Sequence, residues 1–252
     1  MKALGVIPAR FAAQRFPGKP LAKILGRPMI QWVHERASRA GGLSRVIVAT
    51  DDERVADCVR GFGGDVMMTS DQHQSGTDRV AEVARRVEAD AYVNIQGDEP
   101  LIEPGAIDTV LRALLADPNA AWSTLAAPIR TVEEYLDPSV VKVAIAPDGA
   151  ALYFSRAPIP CQRGRAADAA PPRHARRHVG LYAFRRQALA DFSTWPPSPL
   201  ELCESLEQLR ALEHGARIVV AETTNISIAV DNPEDMHAVE ERLRALLAAE
   251  ER

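Results

Sequence analysis

Short apolar runs alternate with amphipathic stretches through the first half of the chain. Leu4–Ile7 carries no polar break and reads as a buried strand. Ile30, Val33 and Ala37 recur at helical spacing, and Gly41-Gly42 supplies a stop. Val46–Val48 is the next strand. Val55, Val59 and Phe62 form a second helical stripe that ends at Gly63-Gly64, and Val66–Met68 is a third strand. Val80, Val83, Ala84 and Val87 mark another helix face. Ala91–Ile95 is a strand, followed by a helix with Ile107, Val110, Leu111 and Leu114 on one side. Strands of four or five apolar residues between helices predict an α/β fold, a mostly parallel sheet flanked by helices. Ligands of such sheets sit outside the carboxyl ends of the strands.

The second half changes character. Ser123–Ile129, Val140–Ala146, Ala151–Phe154 and Val179–Phe184 read as strands with few helices between them, a smaller lobe of mixed strands over about residues 121–186. Residues 161–177, rich in Ala, Arg and Pro without periodicity, read as a mobile surface loop. Leu202, Leu206 and Leu209 give one closing helix its stripe. A last helix starts at Asn232-Pro233-Glu234-Asp235, a cap residue followed by proline and two acids. The expected organisation is one domain over residues 1–252, with residues 1–120 and 187–252 as its core.

Composition narrows the class. Of 252 residues, 46% are hydrophobic and 25% charged, which excludes a disordered chain or a collagen. A net charge of -4 argues against a nucleic-acid partner. Cys58, Cys161 and Cys203 are sparse and odd in number, which fits a reducing compartment and offers no zinc site. The run Ala3–Ile7 is too short for a signal peptide, and no stretch approaches the roughly 18–20 apolar residues of a membrane span. The expected location is cytoplasmic.

Candidate chemistry gathers at the strand ends. After the first strand come Ala9 and Arg10, then Arg15 and Lys19 around Gly18: three cations on one loop. Such a loop suits a polyphosphate and equally fits a solvated basic surface. It matches neither GxxxxGK[ST] nor GxGxxG, so a P-loop or NAD reading loses its support. Asp98 follows the strand at Asn94-Ile95, and Asp231 follows the apolar Val230. Two acids facing phosphates suit Mg²⁺, while a turn former before Pro100 and a helix-start residue account for them as well. Ser75 opens a helix as a cap or as a nucleotide contact. From Ser155 to Arg186 there are eight arginines against the single acid Asp168, and Arg156 and His178 adjoin apolar runs. Glu201 and Gln208, seven apart, share a face of the leucine-striped helix, about 100° from the stripe.

With these residues in place the chain resembles the 3-deoxy-manno-octulosonate cytidylyltransferase (CMP-Kdo synthetase) family. The resemblance is carried by IPAR with PGKPL, VATDD, HQSGTDR, VNIQGDEP, VVKV, ALYFSRAPIP, RHVGLYAFR, SPLE with LEQLRALE, and VDNPED, in order from Val6 to Asp235. It implies that Ala9, Arg10 and Lys19 meet the CTP phosphates and that Ser75 and Arg79 help hold the cytidine. It implies that Asp98 and Asp231 bind Mg²⁺. Gln96, Arg156, His178, Tyr182, Glu201 and Gln208 would line the sugar-acid pocket, with Arg156 and His178 neutralising the sugar carboxylate. Arg10, Lys19 and Asp98 would carry the transfer of CMP from CTP to Kdo with release of pyrophosphate, for lipopolysaccharide synthesis. A homodimer is implied, with the nucleotide on the parallel sheet and substrate and dimer contacts on the smaller lobe. The nearest alternative keeps the chemistry and changes the sugar to 8-amino-Kdo or another ulosonic or sialic acid. The chain departs from the family pattern at Cys161, where tryptophan is common, and at Asn232, where threonine is usual.

Overall fold

The structure, a computed structural model, describes residues 2–12, 16–73, 75–164, 166 and 169–250. Two compact units divide the chain: Met1–Asp108 with Ser227–Arg252, and Thr109–Ile226. The chain runs through β1 (Ala3–Ala9), β2 (Lys23–Ile24), β3 (Arg27–Pro28), α1 (Met29–Ala37), β4 (Arg45–Thr50), α2 (Glu53–Gly61), β5 (Asp65–Met68), α3 (Gly76–Arg86), β6 (Ala91–Asn94) and α4 (Pro104–Ala116). It continues through β7 (Trp122–Pro128), α5 (Val132–Leu136), β8 (Lys142–Ile145), β9 (Ala151–Ser155), β10 (Arg176–Arg185), α6 (Arg186–Phe192), α7 (Pro199–Glu204), α8 (Gln208–Glu213), β11 (Ile218–Glu222) and α9 (Asp235–Glu250). The class is α/β, as the alternation predicts.

In the first unit β6, β1, β4 and β5 pair in that order, all parallel. Leu4, Val6 and Ile7 of β1 are fully buried, which is why this strand reads as an unbroken apolar run. The helices start on local caps: Asp52 accepts from Arg54 N at 2.9 Å for α2, and Ser75 with Asp78 forms a capping box for α3. A hydrophobic cluster joins Ile24, Met29, Trp32, Leu101 and Val230 to Val239 and Leu243 of α9. It ties the 227–231 segment to the loop after β1.

In the second unit β7 pairs with β10 antiparallel and with β11 parallel, and the β8–β9 hairpin joins β10 through β8. The mixed strands expected here are present; β11, α5 and α6 were not read from the pattern. The helix expected across Leu202, Leu206 and Leu209 is two helices. Ser205, at φ 53°, breaks it between α7 and α8, and Leu202 is 69% exposed. Glu201 and Gln208 therefore sit on different helices. The last helix begins at Asp235, whose carboxylate accepts from the backbone N–H of Asp231 and Asn232 at 2.8 and 2.7 Å, so residues 232–234 form the turn before it. Of the arginine-rich loop, Arg165, Ala167 and Asp168 lie outside the described residues; its end is anchored by Ala175, buried with Ile129 and Tyr135. No described helix is long and apolar enough to cross a membrane.

Candidate active site

β1 and β6 are parallel neighbours, so the chain leaves both at the same edge of the sheet. The turn after β6 presses against the end of β1. A Cβ on Gly97 would meet the Pro8 carbonyl oxygen at 2.7 Å, so only glycine allows this approach. Gly18 adopts a left-handed φ of 73° and donates to Phe11 O at 2.8 Å, folding the loop back so that Lys19 faces the turn. A cavity of about 170 Å³ results, lined by Pro8, Ala9, Arg10, Lys19, Pro20, Gln96, Gly97 and Asp98. Five of the residues singled out in the sequence, Ala9, Arg10, Lys19, Gln96 and Asp98, thus meet at one place. Arg15 lies outside the described residues.

Lys19 is the junction of this site. Its Nζ donates to Asp98 Oδ2 at 2.6 Å and to Val230 O at 2.9 Å, and Val230 N donates to Asp98 O at 2.9 Å. Asp231 follows directly, so both acids stand on neighbouring backbone although they are far apart in sequence. Asp231 does not follow a strand: residues 225–230 are irregular and are held by these bonds and by the cluster under Val230. Among the described residues no group of three or more His, Cys, Asp or Glu is arranged to hold a metal ion. Half-buried Glu99 is pushed up to about 7, first by burial and then by the Asp98 charge.

Arg10 reaches the turn before α3. One guanidinium nitrogen donates to His73 O and lies 3.5 Å from Ser75 O. The Ser75 hydroxyl is engaged in the cap, accepting from Asp78 N at 3.1 Å. Arg79 is fully buried; it donates to Thr69 Oγ1 at 2.5 Å and to Asp51 Oδ2 at 2.9 Å. Its charge thus ties the ends of β4 and β5 together.

The remaining candidates belong to the second unit. A register shift between Val179 and Tyr182 in β10 brings the rings of His178 and Tyr182 to 5.3 Å, and Phe154 meets His178 edge-on at 5.0 Å. His178 Nε2 is 2.9 Å from Thr124 Oγ1, whose hydroxyl lies within donating distance of Leu181 O at 3.0 Å. Burial lowers His178 to about 3, so it is neutral near pH 7 and is not the cation expected against a sugar carboxylate. Burial and then the Glu207 charge raise Tyr182 well above its ordinary value. Arg156 donates to the carbonyls of Glu204 at 2.7 Å and Pro138 at 3.0 Å, while the Glu204 carboxylate takes Ser155 Oγ at 2.6 Å and Arg156 N at 2.9 Å. Buried Glu201 is paired with Arg210 and caps α7 through Ser198 N at 3.0 Å. Its burial pushes its pKa up, but these partners bring it below the ordinary value. Gln208 is buried and its Nε2 has no partner among the described residues, an orphaned donor of the kind a ligand satisfies. A larger depression of about 310 Å³ beside Trp122, Arg185, Trp195 and His214 holds none of these candidates.

Residues 4–218 match the family model described as Cytidylyltransferase. The 3-deoxy-manno-octulosonate cytidylyltransferase of Geobacter sulfurreducens is 52% identical over 250 residues, spanning 97% of this chain and 100% of that protein. The chain belongs to the 3-deoxy-manno-octulosonate cytidylyltransferase family. The family member from Syntrophobacter fumaroxidans is 52% identical over 242 residues, covering 95% of this chain and 96% of its own. A solved structure of CMP:2-keto-3-deoxy-manno-octonic acid synthetase complexed with CTP is 46% identical, with a TM-score of 0.89 over 99% of this chain and 100% of that one. A cytidylyltransferase from Leptospira borgpetersenii shares the fold at 16% identity, with a TM-score of 0.64 over 95% of this chain and 85% of its own.

Proposed function

We propose that this chain transfers CMP from CTP to the anomeric hydroxyl of 3-deoxy-D-manno-octulosonate (Kdo), forming CMP-Kdo and releasing pyrophosphate. The observation that carries the reading is the convergence on Lys19: family motifs 79 and 211 residues away from it supply its two acceptors, the Asp98 carboxylate and the Val230 carbonyl that precedes Asp231. Arg10 and Lys19 would hold the triphosphate, Arg10 as a two-donor fork and Lys19 as a point charge. Binding then requires Lys19 to exchange its carboxylate partner for phosphate oxygens. The chain's remaining work is positioning, because two anions that repel each other must be brought into line. Ser75 and Arg79 would shape the nucleoside side. Gln96, Arg156, His178, Tyr182, Glu201 and Gln208 would shape the sugar side, with neutral His178 serving as a hydrogen-bond partner.

Mg²⁺ fits the donor set. The Asp98 carboxylate and the Val230 carbonyl already attract one cation, the Lys19 ammonium, and Asp231 follows Val230 directly in the chain. Asp98 and Asp231 would hold the ion, which supplies neutralisation of phosphate charge when bound. The reading extends to a cytoplasmic homodimer whose product serves lipopolysaccharide synthesis, with no nucleic acid as partner. The test incubates the purified chain with CTP, Mg²⁺ and, separately, Kdo, 8-amino-Kdo and a sialic acid. Pyrophosphate release with Kdo is expected. Release only with another sugar moves the assignment to that sugar, and release with none overturns it.

A further inference from the structure

We propose that Glu82 is a positioning residue for Arg10, acting through His73, and that it thereby sets the affinity of the cavity for a triphosphate. The inference rests on the nucleotide reading above. Glu82 lies on α3 among buried Val80, Val83 and Ala84, and is itself 5% exposed. For packing alone an apolar side chain would serve there. The carboxylate is instead fully engaged: Oε2 accepts from Ser70 N at 2.9 Å and stands 2.5 Å from His73 Nε2, and Oε1 pairs with Arg86. Burial pushes its pKa up, and these partners bring it below the ordinary value, so it stays an anion.

His73 turns this anchor toward the cavity. With its ring held by Glu82, its carbonyl accepts from an Arg10 guanidinium nitrogen, and Ser75 O lies 3.5 Å from the same atom. The order is Arg86, Glu82, His73, Arg10, and only Arg10 lines the cavity. A guanidinium recognises phosphate by its plane, so fixing one edge leaves the opposite edge aimed. Loss of the anchor lets His73 shift and Arg10 swing without removing any cation from the site.

The test is a double-mutant cycle on CTP affinity, measured by calorimetry with Mg²⁺ and no sugar, using Glu82→Gln, Arg10→Ala and the pair. Glu82→Gln is expected to weaken CTP by about tenfold alone and by less than about twofold in the Arg10→Ala background. In turnover its KM for Kdo should stay within about twofold while the KM for CTP rises. Equal losses in both backgrounds, no loss, or a parallel rise in the sugar KM overturns the proposal. If Glu82→Gln does not fold, His73→Leu carries the same cycle, because it cuts the link and leaves Glu82 its Ser70 and Arg86 partners. Wild-type protein that does not bind CTP overturns the nucleotide reading itself, a result separate from any difference between variants.

Discussion

Lys19 holds two oxygen acceptors at once, at 2.6 and 2.9 Å, and that double engagement shapes what its loss does. If Lys19 holds phosphate as proposed, Lys19→Ala should raise the KM for CTP by about 10–100-fold with little change in the sugar KM. Equal effects on both substrates would count against a phosphate role. Asp98→Ala should lower kcat by about a hundredfold or more with an unchanged circular dichroism spectrum, and activity near wild type would remove Asp98 from the site. His178 gives a pH prediction. Its folded pKa of about 3 lies below the unfolded value of about 6.5, so acid protonates the unfolded chain first. The stability it contributes is present above about pH 6.5 and lost as pH falls toward 3, by up to about 1 kcal/mol at pH 5.5. Denaturant midpoints should show this slope, and His178→Gln should flatten it. Arg10 and Asp98 were legible in the sequence because each follows an apolar strand run, and Lys19 because it shares the cationic loop of Arg10. The charge state of His178 and the anchoring by Glu82 were not, because both depend on side chains brought near only by the fold.

The elements that build the cavity meet at Gly97, where β6 runs out against Pro8 of β1. The obstacle is a backbone carbonyl, which cannot rotate aside, so Gly97→Ala must move the turn that carries Gln96 and Asp98. A kcat loss of tenfold or more is expected with only a modest fall in melting temperature, about 4 °C for each kcal/mol of strain. Unchanged kinetics would show that the turn tolerates displacement. Parallel strands and their helices were readable because a strand buried on both faces announces itself as an apolar run. The break between α7 and α8 was hidden because leucines at 202, 206 and 209 imitate one helical stripe, although Leu202 faces solvent and Ser205 is left-handed. β11 was not legible because no helical pattern directly follows the run Ile218–Glu222 to frame it, and its place is fixed by pairing with β7.

For the whole molecule, nine motifs in order make family membership legible in the sequence itself, and similarity across 97% of the chain agrees. The metal remains the least local of the expectations, since two carboxylates alone make a poor cage and need phosphate oxygens to complete the shell. Chelation with EDTA should therefore abolish pyrophosphate release and leave the thermal unfolding midpoint nearly unchanged, and Mg²⁺ should restore the activity. A large fall in the midpoint on chelation would point to a structural ion instead.

The bond from Val230 N to Asp98 O gives biosynthesis a fixed order. On the ribosome, every residue that lines the cavity emerges before the stretch around 230 that Lys19 grips and before the helix that pins that stretch. A growing polypeptide would thus be chemically silent until that stretch clears the exit tunnel, and any release before it would leave Ile24, Met29 and Trp32 without the apolar partners that cover them.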